Sequence, residues 1–225
     1  ELNVAKVLSV FRRRARPRPP RQLRRGVYLL PSMFTVGNMF CGYACVVYAM
    51  RGEYATAAPF LGLAVVLDML DGPIARLTGA SSPFGLEFDS LADVVSFGLA
   101  PAILVFSWGL EPLGRLGLTA GFIYVTATAM RLARFNIQSA GADKRYFVGM
   151  PTPAAAGVLA STVFAYPGGL SQSWPAILAL ALVLVPAFLM VSTLRFRNIN
   201  AFNVSRRHSY LTLIFIAGVL AAIAT

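Results

Sequence analysis

Charge is what this chain has least of. Only 13% of its 225 residues are Asp, Glu, Lys or Arg, against 57% apolar, and the mean hydropathy is +0.66. A soluble domain is rarely built this way, because its surface has to be covered by polar groups. Uncharged apolar stretches of about 17 to 22 residues recur instead, and about 20 helical residues cross the roughly 30 Å hydrocarbon core of a bilayer. So little chain lies outside these runs that no separate soluble domain fits. The fold class read from composition is all-α, a polytopic helical membrane bundle.

Cysteine and histidine are nearly absent. Cys41 and Cys45 stand four apart in one apolar run, which makes them small packing residues beside Gly37 rather than a disulfide or a metal site. The lone His208 reads as interfacial, and the aromatic residues as core or lipid-facing.

What charge there is carries a bias of +11. Eight arginines lie between Arg12 and Arg25, just before the first apolar run, and the pairs Arg131/Arg134, Lys144/Arg145, Arg195/Arg197 and Arg206/Arg207 flank later runs. Short basic segments beside spans are the mark of cytoplasmic loops, so the charge argues for membrane topology and against nucleic acid. Residues 1–30 are expected to form a basic cytoplasmic segment, with an amphipathic helix as one form open to it, that attracts anionic headgroups. This segment is too charged near its end for a signal peptide. Residues 31–225 are expected to form the transmembrane domain.

Seven spans are expected at about 32–50, 55–77, 86–108, 116–137, 152–168, 174–193 and 208–225, separated by Gly- and Pro-marked connections. With the N-terminus in the cytoplasm, the loops near 78–85, 138–151 and 194–207 are cytoplasmic, and two of the three are basic. The loops near 51–54, 109–115 and 169–173 fall outside, with Arg51 and Arg115 as their positive charges.

Against this background "DMLDGPIAR", residues 68–76, needs a reason. Of nine acidic residues, five (Asp68, Asp71, Glu87, Asp89, Asp93) fall within 26 positions. Asp68, Gly72 and Arg76 follow at i, i+4, i+8, with Asp71 and Ala75 on the adjoining row, and Gly85, Asp89 and Asp93 repeat the spacing on the next helix. Ser82 and Pro83 read as the N-cap and first position of that helix. Glu87 sits off the row. Two neighbouring helices thus present four carboxylates at one cytoplasm-facing mouth, with glycines leaving room for a ligand. Four such groups cannot all stay ionised in a partly desolvated site without compensation. Divalent metal supplies it: hard oxygen ligands suit Mg²⁺ or Mn²⁺, which reach substrate phosphates through one or two carboxylates each, and two ions could share the four. The structural alternative is a salt-bridge network in which Arg76, with Arg131 or Arg134, neutralises buried acids. One arginine within the motif does not balance them, and such a network would not need glycines on the same face.

Two further features are read from the residues. Arg131 and Arg134, three apart at the end of the fourth span with Asn136 beyond, either bind a phosphate or a carboxylate or snorkel as interfacial anchors. Asn38, polar among apolar neighbours, is either a helix–helix hydrogen bonder or a ligand contact.

The spacing Asp68-x2-Asp71-Gly72-x2-Ala75-Arg76-x8-Gly85-x3-Asp89-x3-Asp93 resembles, at every defined position, the signature of the CDP-alcohol phosphotransferases. "TVGNMFCG" (35–42), "FDSLADVVSFGLAPA" (88–102), "RLARFN" (131–136) and "GMPTPAAA" (149–156) resemble its integral-membrane phosphatidylserine synthase branch. The similarity covers about residues 30 to 200. It implies a six-helix core, with about one extra C-terminal span here, and a homodimer in a bacterial or archaeal cell membrane. It also implies transfer of a phosphatidyl group from CDP-diacylglycerol to the hydroxyl of L-serine, releasing CMP. By the resemblance Asp68, Asp71, Asp89 and Asp93 are metal ligands and Asp93 is also the base. Gly72, Ala75, Arg76 and Gly85 shape the nucleotide and pyrophosphate site together with Asp68, and Asn38 and Thr35 line it from the first helix. The "RLARFN" stretch favours Arg131, Arg134 and Asn136 as substrate contacts.

The signature alone leaves the acceptor open, with glycerol 3-phosphate and inositol phosphate as rivals to serine, and it leaves an ether-lipid donor open. A membrane prenyltransferase would place its acidic motifs far apart in the chain. A cation transporter would place acids near the midplane on broken helices.

Overall fold

The computed structural model describes residues 29–78, 82–139, 146–170, 173–192 and 195–197. They form six helices: α1 (Leu29–Met50), α2 (Tyr54–Thr78), α3 (Pro83–Leu113), α4 (Arg115–Ser139), α5 (Thr152–Ala165) and α6 (Ser173–Val191). One small antiparallel ribbon pairs β1 (Tyr146–Val148) with β2 (Arg195–Arg197). Five of the helices are long and apolar enough to cross a membrane, so the protein is an integral membrane helical bundle, as its composition implies. The expected span at 208–225 and nearly all of the basic segment 1–30 lie outside the described residues.

α1 and α2 make a tight hairpin. α1 buries Asn38, Cys41, Cys45 and Ala49 at helical spacing, while Met33, Val36, Phe40 and Tyr43 are exposed on its other face. Cys41 and Cys45 are free thiols, matching their reading as packing residues. Gly52, at φ +76, ends the helix: its N–H reaches Ala49 O at 3.0 Å and the Glu53 N–H reaches Tyr48 O at 3.0 Å, so the left-handed residue satisfies carbonyls the helix leaves open. α2 returns with Leu61 and the small residues Ala57, Ala58 and Ala64 buried, the alanines allowing close helix approach where lipid provides no hydrophobic drive.

α3 starts where the sequence indicates. Ser82 is extended (φ −127, ψ 152), its side chain accepts from Gly85 N, and Pro83 opens the first turn. Its interior differs from the regular span expected over 86–108. After an α-helical stretch, Pro83–Asp93, the backbone widens into π-helical turns at Val94–Leu99 and Phe106–Leu110, separated by the α-helical Ala100–Val105, and closes in a 3₁₀ turn at Glu111–Leu113. A π turn shifts the hydrogen-bond register and leaves carbonyls for other donors. In the second one Ser107 O accepts from Tyr54 Oη at 2.6 Å and Trp108 O accepts from Leu170 N at 2.7 Å.

The core lies between all six helices, around Leu61, Leu104, Trp108, Tyr124, Leu159 and Met190. The fifth expected span ends early. α5 has 14 residues and stops at Ala165, about 21 Å of helix, because the chain leaves helical geometry at Tyr166 (φ −133) ahead of Pro167, which disfavours a helical residue before it. The ribbon joins the segments after α4 and after α6. Both therefore lie at the same end of the bundle, as alternating crossings require.

Candidate active site

That end of the bundle also gathers the acids. α2 brings Asp68 and Asp71 near its C-terminus, and α3 brings Asp89 and Asp93 within its first three turns. One carboxylate oxygen each from Asp68, Asp71 and Asp89 lies within 4.8 Å of the others. Asp71 lies against Asp89, and Asp68 against Asp93. Asp93, 8% exposed, stands outside the three-oxygen cluster and receives a hydrogen bond on Oδ1 from Asn38 Nδ2 at 3.2 Å. Asn38 is fully buried on α1, which closes the third side of the site.

These residues suit a divalent cation. Ligands about 2.1 Å from a Mg²⁺ ion stand about 3 to 4.2 Å from one another around an octahedron, within the span of the three oxygens. Asp89 Oδ1 is buried with no hydrogen-bond partner, an arrangement that costs free energy unless a cation or donor satisfies it. The donor set is all carboxylate, as hard cations prefer.

The remaining sequence candidates divide. Thr35 is buried on α1 three residues before Asn38, and Gly72 is half-buried on the turn of Asp71. Gly85 serves the N-cap, donating to Ser82 Oγ at 3.0 Å. Ala75 and Arg76 continue α2, but their side chains lie outside the described residues. Glu87 is exposed, in keeping with its place off the acidic row.

The two arginines face different partners. Arg131, half-buried, donates to Thr152 Oγ1 at 3.1 Å, packs over the Phe135 ring at 5.6 Å and is close enough to Asp93 and Asp68 for its charge to bear on both. Arg134 donates to Val191 O at 3.2 Å, the last residue of α6, where a cation complements the helix C-terminus. Both line a cavity of about 410 Å³ with Met130, Ala133, Ile137 and Val191. Asn136 Nδ2 donates to Ser90 Oγ at 2.9 Å, tying α4 to α3 one residue past Asp89. These bonds of Arg131 and Arg134 go to a hydroxyl and a carbonyl rather than to an acid, and the side chain of Arg76, the centre of the neutralising network that was the structural alternative, lies outside the described residues.

Truncation separates the arginines. Arg131→Ala should cut turnover by far more than the modest fall in thermal midpoint that losing its bond to Thr152 and its contact with Phe135 brings. Arg134→Ala should lose a charged hydrogen bond, about 1.5–3 kcal/mol of stability, visible as a lower midpoint in detergent. Normal kinetics in Arg131→Ala would leave it an anchor only.

Three polar partners were not singled out from the sequence: Ser96, whose Oγ donates to Asn38 O at 2.9 Å, Thr152 and Ser90. Ser96 and Thr152 are lone hydroxyls in apolar stretches, Ser90 sits beside Asp89, and in Thr152 and Ser96 complete burial is the feature that spacing could not reveal.

An acidic cluster between two consecutive helices, at one end of a membrane bundle, is a site that could hold a divalent cation. The profile of the CDP-alcohol phosphatidyltransferase family matches residues 28–187, and the chain belongs to that family. A CDP-diacylglycerol–serine O-phosphatidyltransferase of Helicobacter pylori (strain ATCC 700392 / 26695) is 35% identical over 196 residues, covering 85% of this chain and 81% of the relative. The protein of the same name from Bacillus subtilis (strain 168) is 34% identical over 167 residues, 74% of this chain and 89% of the relative. An archaetidylserine synthase of Methanothermobacter thermautotrophicus is 33% identical over 178 residues, 78% of this chain and 72% of the relative.

Proposed function

We propose that the protein is a CDP-diacylglycerol–serine O-phosphatidyltransferase. The serine hydroxyl oxygen attacks the phosphorus that carries the diacylglycerol, the bond from that phosphorus to the CMP oxygen breaks, and the hydroxyl proton passes to Asp93. The products are phosphatidylserine and CMP. The observation that carries this reading is the placement of Asp93 beside the Asp68/Asp71/Asp89 cluster, its carboxylate oriented by Asn38.

Asp68, Asp71 and Asp89 would hold Mg²⁺ or Mn²⁺, with Asp93 at the edge of the set, and two ions are the proposed number. When bound, such ions supply positive charge to the diphosphate and to the departing CMP. The chain's own groups do the rest. Thr35, Asn38, Gly72, Ala75, Arg76 and Gly85 form the nucleotide and pyrophosphate side. The buried, unpartnered Asn38 Oδ1 is available there as an acceptor. Arg131, Arg134 and Asn136 form the side for the serine carboxylate or a phosphate, with Arg131 the nearer to the acids.

The test is CMP release from CDP-diacylglycerol by the purified protein with serine, glycerol 3-phosphate and inositol phosphate as acceptors, with and without Mg²⁺ or Mn²⁺. Release with serine alone is expected. Equal release with glycerol 3-phosphate would reassign the acceptor. The archaeal relative's name favours a second donor reading, an ether lipid in place of the diacylglycerol. The same assay with the ether-linked CDP lipid decides between the two.

The site is proposed to face the cytoplasm, because in the sequence the basic segments adjoin the helices that begin or finish at that end of the bundle, and positive loops stay inside. A cysteine at the exposed Gly168 should react with an impermeant thiol reagent on intact cells, whereas one at Glu87 should react only once the inner face is opened. The reverse pattern would invert the topology. The homodimer implied by the family resemblance is tested by crosslinking in membranes.

A further inference from the structure

Ser96 lies one turn beyond Asp93, inside the first π-helical segment of α3, and is fully buried. Its Oγ donates to the backbone carbonyl of Asn38 at 2.9 Å. That carbonyl is the one an α-helix offers to the N–H of residue 42, and its second lone pair is free to accept the hydroxyl. Residue 42 is glycine, and for a reason. A Cβ there would stand 2.8 Å from both Cα and Oγ of Ser96, so the backbones of α1 and α3 touch at this point.

Two bonds from α3 therefore fasten the same residue of α1. Asp93 takes the Asn38 side-chain amide at 3.2 Å, and Ser96 holds the Asn38 main chain. Asp93, Asn38 and Ser96 close a loop of contacts, with Gly42 setting its depth. The buried hydroxyl gains by making this bond, but an alanine would leave no group unsatisfied, since Asn38 O keeps its helical partner. Stability alone does not call for a serine here.

We infer that Ser96 is a positioning residue for the transfer reaction: through Asn38 it fixes the carboxylate of Asp93 at the angle needed to take the acceptor's proton. The inference rests on Asp93 as the proton acceptor. Ser96 touches no substrate in this account and acts only by holding α1, so that the Asn38 amide stays on Oδ1 and the other carboxylate oxygen faces the reacting hydroxyl. Small displacements of a positioned group are costly, because catalysis depends on a near-attack geometry.

The experiment uses the full chain, purified in detergent or nanodiscs, with CDP-diacylglycerol and serine. Ser96→Ala should lower kcat about tenfold while KM for either substrate stays within about twofold, the pattern of an interaction made in the transition state. Its thermal midpoint and Mg²⁺ titration should match the parent. In an Asn38→Ala background, Ser96→Ala should cost nothing further, because its intermediary is gone. Additive losses, or a midpoint or KM that moves with kcat, would make Ser96 a packing residue and overturn the inference. Asp93→Asn is measured alongside. If it retains near-normal turnover, the base assignment fails and takes the inference with it. If it is inactive while Ser96→Ala is normal, the inference alone fails.

Discussion

Asp93→Asn should reduce turnover by on the order of 10²–10⁴-fold, the range for losing a positioned general base, while binding of CDP-diacylglycerol survives. A serine hydroxyl is a weak nucleophile at neutral pH, so the proton must be taken as the new bond forms. Asp93 is the one acid of the four that stands outside the three-oxygen cluster and that is oriented by an amide donor. The asparagine has the same shape and can turn its own carbonyl toward Asn38 Nδ2, so the contact between α1 and α3 is kept. What disappears is the capacity to accept a proton. Donor binding can be followed by displacement of labelled CDP-diacylglycerol in Mg²⁺ or Mn²⁺. Near-normal turnover in folded Asp93→Asn would leave Asp93 a ligand or a structural residue.

Much of this site could be read from spacing because the polar residues are rare. The rows Asp68/Gly72 and Gly85/Asp89/Asp93 stand out against an apolar background, and the Ser82–Pro83 start fixes the phase of α3 relative to them. The hairpin of α1 and α2 follows from Gly52 between two apolar runs. What spacing could not give is which apolar face turns inward. In water the lipid-facing residues of α1 (Met33, Val36, Phe40 and Tyr43) would be polar, and the contrast would locate Asn38 and Ser96 at the interface. In a bilayer both faces are apolar and the signal vanishes. The π turns of α3 were hidden for the same reason: their cause is a hydrogen-bond register settled by tertiary partners such as Tyr54 and Leu170. The attachment of Arg134 to the end of α6 depends on packing between helices distant in sequence, which spacing does not carry.

Asp89→Asn should abolish most turnover at ordinary metal concentrations and weaken Mg²⁺ or Mn²⁺ binding by at least about 10–100-fold, since losing even an outer-shell partner costs that much. Chelation of the parent protein should have the same effect on turnover, reversed by adding the metal back. Asp89 has an Oδ1 that is buried without a hydrogen-bond partner, and its carboxylate is one of the three that converge. Thermal stability separates the metal reading from a purely structural one, because the two give opposite signs. If the acids were a stabilising network, removing one would lower the midpoint with or without metal, as happens when a buried ion pair is broken. If they converge to hold a cation, the metal-free parent contains mutually repelling carboxylates, and Asp89→Asn relieves part of that repulsion. The metal-free variant should then melt no lower than the metal-free parent. Added Mg²⁺ or Mn²⁺ should raise the midpoint of the parent, as any ligand of the folded state does, and leave the variant nearly unmoved. A variant that melts well below the parent without metal would return the cluster to a structural role.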